Sequence, residues 1–402
     1  MNRAVPAPSP AVGLILSGGG ARAAYQVGVL KAIADILPNG SGNPFPIICG
    51  TSAGGLNAAG LATHAGHLRD GVNLLEEVWG NFRSHHVYRT DWYGVLATAS
   101  KWLMTMAFGR VKKDMPVSLL DNRPLRDLLT AHLEMDRVES AILRGQLRAL
   151  CITASGYTSG ESVSFFQGAP ELEAWKRSHR LGVRTRISID HLMASAAIPM
   201  MFPAVRLNRE YFGDGALRQL APISPALHLG AERVLVIGVG SNQHLPPMRD
   251  KPVTYPSIAQ VVSHIMNSSF IDSLEGDVER LMRINRTISF IPDDVRAQHV
   301  KLRPVDVMVI TPPGEVLDMV AMRHAAQLPK SIRLFVRGSG ATQKAGSGVL
   351  SYLLFEAEYC RDLMELGYND TMGRREELMR FLDVPSPARE APSNVVEFKR
   401  AE

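Results

Sequence analysis

The chain has 402 residues, 46% of them hydrophobic, which is enough for one large globular domain, or one domain with an extension, and a substantial core. Its formal charge of +5 is mildly basic and dispersed, and the absence of a basic run interleaved with aromatics argues against a nucleic-acid partner. The same balance suits peripheral contact with the anionic inner face of a membrane, although an ordinary solvated surface accounts for so small a charge more simply.

In chain order, residues 1–11 are rich in proline and expected to be disordered; they lack the charged start and apolar core of a signal peptide. Val12 to Leu16 is a short apolar run, expected as a buried strand, which passes through Gly18, Gly19 and Gly20 into helical periodicity from Ala23 to Ile36. A second strand and helix follow from Ile47 to His64. A helical region runs from Gly71 to about Arg110; within it Trp92, Tyr93, Trp102, Met104 and Phe108 belong to a stretch that could cap a site and touch a lipid, or simply pack on the core. Asp121-Asn122-Arg123-Pro124 has the form of a helix cap with proline just inside, opening a helix from Leu125 to Leu133. Leu150 to Ala154 and Val163 to Phe166 are the next strands, and Val234 to Gly240 is apolar throughout, as in a sheet covered on both faces.

From Ser257 apolar residues recur at helical spacing as far as Met282, which predicts an amphipathic helix or helix pair. Val305 to Ile310 is a late strand, Gly338 to Gly348 a loop rich in glycine and serine, Leu350 to Leu366 an apolar helix, and Arg374 to Leu382 a charged one. The tail from Pro385 is polar and proline-rich, and is expected to be disordered. No apolar run reaches the ~18 residues of a membrane span. Cys49, Cys151 and Cys360 are widely spaced, and two lie in strand-like runs; they read as buried reduced thiols of a cytoplasmic protein, with no disulfide frame or metal site. The alternation of strands and helices predicts an α/β fold with a mainly parallel sheet.

Two motifs carry chemistry. Gly50-Thr51-Ser52-Ala53-Gly54 directly follows the apolar run Pro46 to Cys49, and its small residues allow a sharp strand-to-helix turn that holds the Ser52 hydroxyl at its tip as a nucleophile. An ordinary turn in a glycine-rich sequence has the same composition. Upstream, Ser17-Gly18-Gly19-Gly20-Ala21-Arg22 places three glycines at a helix start, where backbone N–H groups and the helix dipole form an anion-binding concavity. The anion can be a nucleotide phosphate or the oxyanion of a tetrahedral acyl intermediate. A Walker loop needs Lys-Ser/Thr after its last glycine, whereas Ala21-Arg22 follows here; a dinucleotide fingerprint would need Ala23 as its third small residue and an acid that is missing.

A serine hydroxyl needs a base within about 2.6–3.2 Å. None of the 12 histidines lies in a turn flanked by glycines, and a single strand–helix unit before Ser52 is hard to reconcile with a hydrolase whose histidine comes late. Asp214, between Gly213 and Gly215 after the aromatic pair Tyr211-Phe212, is the better candidate base; the competing reading is a plain Asp-Gly turn. An ordinary carboxylate is a weak base, so burial beside a neutral serine would have to raise its pKa.

Taken in this order, Gly18-Gly19-Gly20-Ala21-Arg22, Gly50-Thr51-Ser52-Ala53-Gly54 and Asp214-Gly215-Ala216 resemble the motifs of the patatin-like phospholipase family, as does Ala194-Ser195-Ala196-Ala197-Ile198-Pro199. The likeness spans roughly residues 12 to 225; Ala23 stands where many members have glycine. It implies a three-layer α/β/α fold and a lipid acyl hydrolase that works without histidine, calcium or a cofactor. Ser52 would be the nucleophile, Asp214 the base, and the loop Gly18, Gly19, Gly20, Ala21 and Arg22 the oxyanion hole, with Gly50, Gly54, Gly213 and Gly215 supporting the turns. The expected organisation is a catalytic domain over residues 12–250, an extension over 251–384 packed on it, and a tail from 385. A non-catalytic lipid- or anion-binding protein of the same fold, and an acyltransferase, remain as alternatives.

Overall fold

The strands among the described residues assemble into one sheet whose parallel half is built from segments far apart in sequence. In the computed structural model, which describes residues 11–89, 118–240, 255–299, 302–313, 316–329, 333 and 347–385, the strands are β1 (Val12–Leu16), β2 (Ile47–Thr51), β3 (Ala149–Gly156), β4 (Ser162–Gly168), β5 (Trp175–Arg177), β6 (Arg180–Arg184), β7 (Val205–Leu207), β8 (Glu210–Asp214), β9 (Arg233–Ile237) and β10 (Asp306–Ile310). The aromatic stretch 92–108, residues 1–10, nearly all of the Gly/Ser-rich loop 338–348 and the tail after 385 lie outside the described residues.

The order across the sheet is β10-β9-β1-β2-β3-β4-β6-β5, and the first five strands run parallel to one another. Antiparallel pairing enters where β4 folds back on β3 and where β7 and β8 attach to it. Successive residues of the parallel strands bury alternately on two faces. Leu14, Leu16, Ile48, Leu150, Ile152, Leu235 and Ile237 join one core cluster, while Ile15, Ile47, Cys49, Cys151, Val234 and Val236 join a second. Continuous apolar strands therefore reflect helices on both sides. Ala24–Ile36, Ala53–Ala62 and Ala357–Met372 cover the first face, and Ser224–His228 and Ser273–Ser289 supply Ala226, Leu274 and Leu281 to the second. The expected three-layer α/β/α architecture with a mainly parallel sheet is present.

Local sequence explains the main element boundaries. The helix Ala24–Ile36 ends where Pro38 forces Leu37 into an extended conformation. The Asp121 carboxylate accepts the Arg123 amide at 3.1 Å, and with Pro124 in the first turn the helix runs Arg123–His132, two residues ahead of the expected start. Ser257 caps the helix Ile258–Asn267 in a reciprocal box with Gln260. A π-helical turn, Ser268–Asp272, joins it to Ser273–Ser289, so the expected amphipathic segment is a pair of helices in series.

The single apolar helix expected from Leu350 to Leu366 is two helices, Ser347–Leu353 and Ala357–Met372. The break at 354–356 turns Phe355 toward Phe82 and Trp79, and sends the Glu356 carboxylate to the Ser84 amide and hydroxyl, at 3.2 and 2.8 Å. Ala357–Met372 packs closely on Ala24–Ile36: a methyl group at Gly28 would overlap the Met364 carbonyl, and one at Gly367 the Tyr25 carbonyl. Among the described residues no helix is long and apolar enough to cross a membrane.

Candidate active site

Sheet register brings the two expected catalytic residues together. β2 pairs with β3 as far as Thr51↔Thr153 and then turns away into the helix Ala53–Ala62. β4 occupies the other side of β3 throughout, so the position vacated by β2 is filled by β8, whose last residue Asp214 pairs with Ala154. Ser52, next after Thr51, and Asp214 thus meet at one sheet end, and Ser52 Oγ donates a 2.6 Å hydrogen bond to Asp214 Oδ2.

Ser52 sits at φ 54°, ψ −130°, in a backbone region that costs a non-glycine residue about 1–3 kcal/mol. Close packing holds it there. A side chain at Gly50 would overlap the Gly54 carbonyl, and one at Gly54 the carbonyls of Leu16 and Ser17, so both glycines are steric requirements of the turn. The Ser52 amide donates to Ser195 Oγ at 2.8 Å, and Ser195 Oγ donates in turn to the Thr153 carbonyl at 2.6 Å. Ser195 ends the helix Ile189–Ser195 and is fully buried.

Asp214 is fully buried as well. Its amide donates to the Ala197 carbonyl at 2.8 Å, and its Oδ1 accepts the Ala216 amide at 3.0 Å. Burial pushes its carboxyl up to about 7, against the opposing hydrogen bonds from Ser52 and the Ala216 amide. Gly215 lies so close to the Thr153 carbonyl and Thr51 that no side chain fits there, and Gly213 is covered by the Tyr157 ring. Gln219 ties the Asp214 loop to both neighbouring strands: it accepts from Thr51 Oγ1 at 2.7 Å and donates to Thr153 Oγ1 at 3.3 Å.

The glycine loop leads from β1 into a 3-10 turn, Gly20–Ala23. Gly20, at φ +54°, borders the same cavity as Ser52, and Gly19 packs on Val239. Arg22 has a different place from the other four loop residues: its amide bonds the Gly19 carbonyl at 3.1 Å, and its guanidinium turns away into the protein. The cavity is a narrow apolar slot of about 60 Å³. Leu56, Leu75, Val78 and Trp79 line it from the helices beside Ser52, Leu125 and Leu129 from Arg123–His132, and Ile198, Phe202 and Phe355 from elsewhere.

Among the described residues no histidine hydrogen bonds to Ser52 or Asp214; His132 is the one histidine on the slot. Ser195 and Gln219 are the supports that motif reading missed. Ser195 lies within the Ala194 to Pro199 segment, which is a usable signal, whereas Gln219 has none.

Among solved structures the chain has a low similarity to VipD from Legionella pneumophila (12% identity, TM-score 0.36, 92% of this chain and 67% of that one) and to human GIVD cytosolic phospholipase A2 in complex with a fluorophosphonate inhibitor (13% identity, TM-score 0.43, 93% and 59%). A curated relative, the cGAMP-activated phospholipase of Pseudomonas aeruginosa, is 29% identical over 215 residues, which span 54% of this chain and 55% of that protein. The sequence model of the patatin-like phospholipases matches residues 14–227, from β1 through the serine turn to the segment beyond Asp214, and on that match the chain belongs to the patatin-like phospholipase family.

Proposed function

We propose that the protein is a calcium-independent lipid acyl hydrolase, of phospholipase A or lysophospholipase type, that works through a Ser52–Asp214 dyad. The observation that carries this reading is the 2.6 Å hydrogen bond from Ser52, held at a strained turn, to a fully buried carboxylate whose pKa is raised to about 7, beside an apolar slot. A base with a pKa near the working pH can both accept and return a proton.

In this reaction Asp214 takes the hydroxyl proton as Ser52 Oγ attacks the ester carbonyl carbon. The carbonyl oxygen becomes an oxyanion facing the amides of Gly19, Gly20 and Ala21; Arg22, whose own amide is already bonded, supports the loop from behind. Such preorganised donors contribute about 3–4 kcal/mol each in comparable sites. Collapse of the intermediate expels the alcohol, which takes the proton from Asp214 and leaves an acyl-serine. Water then attacks the acyl carbon and gives its proton to the same carboxylate, and collapse of this second intermediate releases the acid as Asp214 returns the proton to Ser52 Oγ. Met200, two residues beyond Ile198 of the slot, and Leu220, next to Gln219, are 57% and 68% exposed and offer apolar contact with a lipid surface.

The slot is small, so short p-nitrophenyl esters are suitable first substrates. Ser52→Ala and Asp214→Asn are expected to lower kcat by about 10³-fold or more while the proteins stay folded by circular dichroism. A calcium chelator should leave the rate unchanged, and a fluorophosphonate should label wild type at Ser52. Unlabelled wild type points to a binding protein of this fold, and acyl transfer to added alcohol or lysolipid in place of hydrolysis points to an acyltransferase.

A further inference from the structure

The glycine loop cannot hold its own shape. Gly18, Gly19 and Gly20 have no side chains to anchor them and the widest backbone freedom of any residue, so the direction of the loop amides is set by whatever grips the two ends. The upstream end is β1. The downstream end is Arg22, and every part of its guanidinium is engaged by residues beyond 255. Nη2 pairs with Asp318 Oδ1 at 2.6 Å, Nε donates to Ser351 Oγ at 2.8 Å, and Nη1 donates to the Tyr352 hydroxyl at 3.3 Å, while the plane lies 4.0 Å from the centre of the Tyr352 ring.

The partners are themselves fixed. Ser351 Oγ reaches the same Asp318 oxygen at 2.6 Å, and the Tyr352 hydroxyl donates to Asn267 at 3.1 Å. The loop backbone is gripped too: Gly20 lies against the Tyr352 carbonyl so closely that a methyl group would overlap it. The Arg22 side chain is 4% exposed and Asp318 19%. A guanidinium so enclosed is not placed to meet a substrate headgroup, and Asp318 is the charge that allows it to stay buried.

We propose that Asp318 is a positioning residue for the reaction proposed above: through Arg22 it holds the Gly18–Ala21 loop against Ser52, so that the region after residue 255 completes the oxyanion site. Asp318 does not touch the reacting atoms. Its loss acts where the oxyanion forms, not where the acyl chain binds.

The test uses the full chain with Asp318→Asn, the conservative Asp318→Glu, Ser351→Ala and, as control, Ser52→Ala. On a short p-nitrophenyl ester Asp318→Asn is expected to lower kcat roughly 10- to 100-fold with KM within about twofold, since a small displacement of oxyanion donors costs this much. Asp318→Glu should recover part of the loss. The inhibition constant of a trifluoromethyl ketone, whose serine adduct carries an oxyanion, should rise by the factor by which kcat/KM falls. Hydrogen exchange in the peptide covering Gly18 to Arg22 should speed up at least tenfold, and this readout does not depend on catalysis. Should Asp318→Asn fail to fold, Ser351→Ala, which keeps the ion pair, carries the same measurements with an expected loss of roughly 3- to 10-fold. A folded variant with unchanged kcat and unchanged loop exchange overturns the proposal, as does a rise in KM alone. Full activity in Ser52→Ala instead overturns the dyad, and loop exchange then still decides the role of Asp318.

Discussion

At the scale of single residues, Asp214 sets function against stability. Its carboxyl is pushed up to about 7 by burial, and as the base of the proposed dyad it must be ionised to work, so kcat/KM for ester hydrolysis is expected to climb with pH through about 7 and level off above it. Stability runs the other way. A carboxyl whose folded-state pKa lies above its ordinary ~3.9 favours the folded state below that value, and this contribution is lost as pH rises through 7. At about 1.4 kcal/mol for each pKa unit the loss is roughly 4 kcal/mol at most by pH 8. Asparagine is neutral throughout, so the stability of Asp214→Asn relative to wild type should improve steadily from pH 4 to pH 7 and stay level above. Urea unfolding at pH 5 and pH 8 measures this; an equal difference at both would show that the carboxylate is not buried as charge. The acid and its serine partner were legible in the sequence because each stands among glycines that a special backbone demands. Gln219 and Asp318 were not: their partners Thr51 and Arg22 lie 168 and 296 positions away, and a lone glutamine or aspartate has no local signature.

At the scale of elements, the helices Ala24–Ile36 and Ala357–Met372 approach through Gly28 and Gly367, each against a carbonyl of the other helix. Alanine in place of a mid-helix glycine ordinarily stabilises by about 1 kcal/mol. Here the added methyl group meets backbone, which cannot swing aside as a side chain can, and the sign reverses. Gly367→Ala is expected to destabilise the protein by about 3 kcal/mol, the upper end of the overpacking range. Guanidinium unfolding reads it directly, and a midpoint equal to or above that of wild type would mean that the helices part at little cost. Long buried strands were readable because both of their faces are apolar, as in Leu14 to Leu16 and Val234 to Ile237. The short strands β5 to β7 are partly exposed and carry no such run. The break before Ala357 was hidden because apolar spacing continues across it, and its cause is the pairing of Glu356 with Ser84, 272 positions away.

At the scale of the whole molecule, a division near residue 250 separates the motifs from the rest of the chain but does not separate two cores. β10 pairs with β9 along its full length, and Tyr352, Leu354, Tyr359 and Leu363 belong to the same buried cluster as Leu14, Val27 and Ile48. Phe355 lines the slot, and the Arg22 charge finds its counter-charge in Asp318. Without residues 255–385 the chain would leave β9 as an open sheet edge, bare the Gly28 face of its first helix, and strip Arg22 of the side chains that enclose and orient it. An ordinary domain is stable by only about 5–15 kcal/mol, which the loss of so much shared core can exceed. A fragment of residues 1–254 is therefore expected to show no cooperative thermal transition, to bind a hydrophobic dye, and to leave short esters unhydrolysed. Co-expression with residues 255–402 as a second chain should recover a compact complex and part of the activity, because the missing surfaces are the ones that chain supplies. If the fragment alone unfolds cooperatively and turns over ester at the rate of the intact protein, the region after 255 is an appendage and the core described above is divisible.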